Sequence, residues 1–318
     1  GVDISSGDKR VNLVAFAAPK PAFDVAIPLF RETNPDVGFS QSYGASGDQS
    51  RKVARHVPAD VVNMSVAPDV TRIVKAGLID KDWEKAYPRR SVPFTSLVAV
   101  VVRPGNPKGI HDWADLLKPG VEVVTPNPAS SGSAKWNLLA PYADKSDGGK
   151  NPAAGLAYLE KLIGQHVKVQ PKSGREATET FLQGTGDVLL SYENEALFAE
   201  RNGDPVEHHT PSTTFKIENP VAVLSKSKNL ATATAFRDYL FTPAAQRLWA
   251  QAGFRPVDPA VAAQFASDFP TPQKLWTIAD TDVYLTWALI GTVTAIVIAW
   301  INIRGVRLAS LVQTFVVS

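Results

Sequence analysis

The chain has 318 residues, no cysteine and a formal net charge of +2. That length allows two domains of ordinary size, and the near balance of charge argues against an electrostatic nucleic-acid binder. The lack of cysteine removes disulfides, thiol catalysis and cysteine metal sites together.

The sequence opens GVDISSGDKR, at Gly1 rather than at methionine, which is expected of a processed or trimmed product. Apolar runs that predict strands then alternate with helical stretches. VNLVAFA (11–17), VGFSQSY (37–43) and DVVNMS (60–65) come first, followed by the helical period of PDVTRIVKAGLI (68–79). SLVAVVV (96–102) and VEVVTP (121–126) precede the helical AAGLAYLEKLIG (153–164). VKVQP (167–171), helical GREATETFLQ (174–183), DVLLSY (187–192) and PVAVL (220–224) complete the series. Such alternation predicts an α/β fold with largely parallel sheets. In those sheets ligands sit beyond the carboxyl ends of strands, on the loops that start helices.

Residues 283–303, VYLTWALIGTVTAIVIAWINI, are uncharged and mostly apolar, which predicts a C-terminal transmembrane helix. Tyr284 and Trp287 mark one end and Trp300 the other, as interfacial aromatics do. Asp280 and Asp282 precede it, and Arg304 and Arg307 follow. The basic flank places the short tail, 304–318, in the cytoplasm and residues 1–280 outside. The competing reading is a buried core helix of a soluble domain.

The loops after the strands share a composition. GASGDQSRK (44–52), NPASSGSAKW (127–136) and KSGREATE (172–179) each put Ser and Gly where a helix should begin, and DVLLSY runs into ENEA (193–196). Unpaired N–H groups and the positive dipole end favour an anion there. Gly47, Gly132 and Gly174 lack a Cβ, so backbone could approach a ligand closely. Any one such loop is equally an ordinary N-cap.

GASGDQSRK, NPKGIHDWADLLKPGVEVVTPNPASSGSAKWN (106–137), SGREAT (173–178) and GTGDVLLSYENEAL (184–197) together resemble the bacterial sulfate/thiosulfate-binding protein family. The likeness runs on through TPAAQ (242–246) and FRP (254–256) to FPTPQKLWTIAD (269–280). It implies a two-lobed type II periplasmic-binding-protein fold with a cleft between lobes. Lobe 1 would take residues 1–97 and 222–280 and lobe 2 residues 98–221, with SLVAVVV and PVAVL resembling the crossovers. It further implies capture of sulfate or thiosulfate by neutral donors, delivery to an ABC-type sulfate permease, and an extracytoplasmic, monomeric binding module. That module would sit in the periplasm or at the cell surface, tethered by 283–303. Neither cofactor nor metal is implied.

Matched residue by residue, the likeness implies a pocket of Ser46 and Gly47 from GASG, Ser131, Gly132 and Ser133 from SSGSA, and Gly174 from SGR. Arg175 adjoins it. Two departures bear on the pocket. Tyr192 stands where many relatives use a Trp indole donor; its hydroxyl both donates and accepts. The first strand–helix loop, AAPKP (17–21), carries Pro19 near a position that donates through its N–H in relatives, so either Ala18 or Lys20 replaces that donor or the donor is lost. Beyond Asp280 relatives have a soluble tail. Here INIRGVRLASLVQTFVV (301–317) faintly resembles amino-acid permeases, leaving natural anchor, fusion and misjoined sequence open.

Other readings stand beside this one: a receptor for another tetrahedral oxyanion such as molybdate or phosphate, a membrane-tethered sensor, or an enzyme acting on a sulfate or phosphate group. NPASSGSAK lacks the spacing of a nucleotide phosphate loop. Asp187, Glu193 and Glu195 suit helix capping as well as acid–base work. His208 and His209 lie in a polar loop without a metal pattern, and His111 has no evident partner in the sequence.

Overall fold

The computed structural model describes residues 9–281. The 283–303 run lies outside them; among the described residues no helix is long and apolar enough to cross a membrane. Twelve strands are found among these residues. They are β1 (Lys9–Phe16), β2 (Val37–Gly44), β3 (Val61–Asn63), β4 (Phe94–Val102), β5 (Val123–Val124), β6 (Val167–Val169), β7 (Val188–Tyr192), β8 (Glu207–His209), β9 (Thr213–Glu218), β10 (Val221–Val223), β11 (Arg255–Pro256) and β12 (Lys274–Trp276). The chain forms two compact units. Among the described residues, unit 1 holds 9–96, 130–132 and Glu218–Pro270, and unit 2 holds Leu97–Ala129, Ser133–Ile217 and 271–281.

Unit 1 is built on the sheet β10-β3-β1-β2. β1 runs parallel to both neighbours, with Leu13 opposite Gln41 and Val61. Helices Lys20–Thr33, Ser46–Ala54 and Ala67–Lys75 follow its three parallel strands. Their apolar stripes cover the sheet: Val53, Val70 and Ile73 pack on Val14, Val62 and Met64. Phe23, Phe39, Phe236 and Trp249 fill another region, with Phe39 and Phe236 ring centres 4.9 Å apart. Each such buried side chain contributes about 1.5–3 kcal/mol. The 220–224 run, expected as a crossover, lies wholly in unit 1 as β10, antiparallel to β3 with Ala222 opposite Val62. The passage between units falls instead at Ile217 and Glu218, within β9.

In unit 2, β7-β5-β6 are parallel and β4 runs antiparallel to β7. β4 is buried along its whole length, as a β-branched apolar run covered on both faces should be. Helices Gly132–Lys145, Gly174–Leu182 and Glu193–Arg201 are the next long helices after VEVVTP, VKVQP and DVLLSY, so their first turns lie toward the strands' carboxyl ends. Ala177 and Phe181 of one helix and Ala196 and Ala199 of another pack on Val124 and Leu189.

Candidate functional site

In unit 1 the loop after β2 leads into helix Ser46–Ala54 through Ala45, which is extended. Ser46 is buried, and its hydroxyl donates to Asp69 Oδ2 at 2.7 Å while accepting the Ser65 N–H at 3.0 Å. Asp69 is held in turn by Arg72 at 2.9 Å. The hydroxyl proton of Ser46 is therefore committed within the protein, and its backbone N–H in the first helical turn is the donor it can offer. Gly47 is committed too, because its N–H donates to the Ser130 carbonyl at 2.9 Å. A Cβ on Gly47 would stand 2.8 Å from that oxygen, and one on Gly132 would stand 2.7 Å from Ser65 Cβ. Both glycines are thus explained by close packing of the Ser130–Gly132 turn against the loops after β2 and β3.

That turn opens the Gly132–Lys145 helix. Ser131 is 3% exposed and Ser133 7%, yet neither hydroxyl has a hydrogen-bond partner among the described residues. In unit 2, a Cβ on Gly174 would stand 2.8 Å from Ser133 Oγ, so the first turn of the Gly174–Leu182 helix abuts that hydroxyl. Ser173 is the N-cap, accepting the Glu176 N–H at 3.1 Å, and is structural. The Asn127 N–H donates to the Pro171 carbonyl at 2.7 Å, and its Oδ1 accepts the Ala129 N–H at 2.8 Å, which fixes the approach to the turn.

Arg175 does not present a free charge. It donates from Nε and Nη2 to Glu195, the latter contact being 2.7 Å, and lies over the Phe198 ring. Thr178 adds a hydrogen bond to Glu195 at 2.9 Å. Burial alone would lower the Arg175 pKa, but the Glu195 carboxylate outweighs it and holds the guanidinium above its ordinary value. Tyr192 ends β7 opposite Val98 and is only 1% exposed, so its ring belongs to the interior. Ala18 is buried in the turn just before the first helix. Of its two candidate replacements for the lost donor, Lys20 is engaged: its N–H bonds to the Ala17 carbonyl at 3.3 Å and its ammonium to Asp24 at 2.7 Å. That leaves Ala18.

Residues 11–255 match the family model described as bacterial extracellular solute-binding protein. A solved structure, the sulfate-binding protein SubI from Mycobacterium tuberculosis H37Rv, is 60% identical with a TM-score of 0.84, covering 86% of this chain and 96% of that one. The sulfate-binding protein of Synechococcus elongatus is 39% identical over 85% of this chain and 80% of its own. This chain belongs to the bacterial sulfate-binding family of extracellular solute-binding proteins. The thiosulfate-binding protein of Pseudomonas aeruginosa is 37% identical over 78% of this chain and 81% of its own.

A solute-binding protein is a receptor, not an enzyme, and the suspected carboxylates fit that role. Glu195 is the partner of Arg175 and Thr178, and Asp187 accepts the Glu122 N–H at 2.8 Å at the opposite end of β7 from Tyr192. Ser65, Asp69 and Asn127 are the residues that loop composition missed. Asp69 is helical by pattern, and its bond to Ser46 spans 23 positions, so no local signal joins them.

Proposed function

We propose that this protein captures sulfate outside the cytoplasm and delivers it to an ABC-type importer in the membrane. The observation that carries this reading is the pair of largely buried serines at a helix start, Ser131 and Ser133, whose hydroxyls make no hydrogen bond among the described residues. Their donors, with the first N–H groups of Gly132 and Gly174, make a neutral set suited to an anion. The nearby cation, Arg175, is balanced by Glu195. Sulfate at neutral pH carries acceptors only. Monohydrogen phosphate carries a proton whose burial without an acceptor costs roughly 1–3 kcal/mol. Selectivity then arises from the missing acceptor rather than from added attraction.

Thiosulfate shares the acceptor-only character of sulfate, and the likeness to a thiosulfate-binding protein keeps it within the same reading. The uncharged run at 283–303 would tether the module to the outer face of the membrane, and the binding module would act as a monomer. Titration calorimetry with sulfate, thiosulfate and phosphate tests the ligand, and transporter-dependent sulfate uptake by cells carrying or lacking the protein tests its delivery.

A further inference from the structure

Three side chains far apart in sequence meet on unit 2. His111 lies in the loop after β4, and His209 ends β8, which pairs with β4 so that His209 faces Val100. The two imidazole centres are 4.7 Å apart with ring planes at 74°. The Nε2 atoms of both rings face the same group, each 3.5 Å from Asn106 Nδ2. The orientation of that amide is fixed: its Oδ1 accepts the Ile110 N–H at 3.0 Å and its Nδ2 donates to the Ile110 carbonyl at 3.0 Å. The NH2 group has two protons and gives one to the Ile110 carbonyl, so the two Nε2 atoms share what remains, and with the ring protons on Nδ1 both would turn lone pairs toward one point.

We propose that His111 and His209 form a chelating site for one divalent, imidazole-preferring transition-metal ion such as Zn2+, Ni2+ or Cu2+. The geometry is that of two imidazoles on one ion: at about 2.0–2.1 Å per nitrogen, adjacent ligands put ring centres roughly 4.5–5.2 Å apart. The Asn106 amide holds the ion's place with contacts at the outer limit of a hydrogen bond, so little is lost when an ion displaces it. Both ligands are anchored through their backbones. The His111 N–H bonds to Asp115 Oδ2 at 2.9 Å, and His209 is held in the β4 ladder. Among the described residues no set of three His, Cys, Asp or Glu side chains gathers round an ion, so water completes the shell and the ion exchanges readily.

Calorimetric titration of the full chain with zinc chloride, in sulfate-free buffer at pH 7.5, tests the site. One ion per chain is expected, with affinity falling roughly tenfold or more in both His111→Gln and His209→Gln and unchanged in His56→Gln. A saturating zinc concentration should raise the melting temperature of the parent protein and of His56→Gln but of neither site variant. Melting of the metal-free variants reports whether they fold, and the parent titration stands whatever they do. Absence of zinc binding by the parent, or the parent's affinity retained in either site variant, overturns the proposal.

Discussion

Ser131 and Ser173 look alike in the sequence, each a Ser before a Gly at a helix start, and the structure separates them. The Ser173 hydroxyl accepts the Glu176 N–H as a cap, whereas that of Ser131 has no partner among the described residues. Ser131→Ala should therefore weaken sulfate binding by roughly 1–3 kcal/mol with little change in ligand-free stability. Ser173→Ala should lower stability by about 1 kcal/mol with a smaller effect on affinity. Calorimetry and denaturant titration on both variants distinguish the two roles. Tyr192→Phe removes only a hydroxyl, and weaker sulfate binding is expected; unchanged affinity would assign the ring to scaffold alone. Loop composition made Ser131, Gly132 and Ser133 legible as the residues of a helix start. It could not show that Ser46 donates to Asp69 or that Gly47 donates to Ser130, because those partners lie 23 and 83 positions away. Composition marks a helix start; tertiary pairing decides which of its donors remain.

At the scale of elements, the Arg175–Glu195 pair joins the helix after β6 to the helix after β7. Removing the negative partner leaves a partly buried guanidinium uncompensated, which costs up to about 3 kcal/mol. Glu195→Gln should lower the unfolding midpoint in denaturant. It should also narrow the preference for sulfate over phosphate, because a cation beside neutral donors favours any anion. Gly132→Ala tests the close approach of turn and loop: its Cβ would stand 2.7 Å from Ser65 Cβ, so a loss of about 1–3 kcal/mol is expected. The long apolar strands were legible because period and burial agree in them, as in β4. β8 and β12 were not, since EHH and KLW are three-residue pieces with polar or mixed faces that exist only through their ladders with β4 and β9.

For the whole molecule, binding and stability are linked. A ligand that binds only the folded chain at a hundredfold excess over its Kd adds about 2.7 kcal/mol, so removing sulfate by exhaustive dialysis should lower the melting temperature and restoring it should reverse the loss. The α/β class and the helix-start donors were readable from alternation and loop chemistry. Of the points where the chain changes units, Ser96 and Leu97 lie in a legible apolar strand, whereas Ile217 and Glu218 lie in a mixed strand that no composition break marks. The central claim is that a neutral, acceptor-poor set of donors selects sulfate. Competition calorimetry at pH 7 measures it directly, with sulfate displaced by phosphate over a wide concentration range. The account predicts that phosphate binds at least about tenfold more weakly than sulfate, the equivalent of 1.4 kcal/mol; equal affinity for the two anions would contradict it.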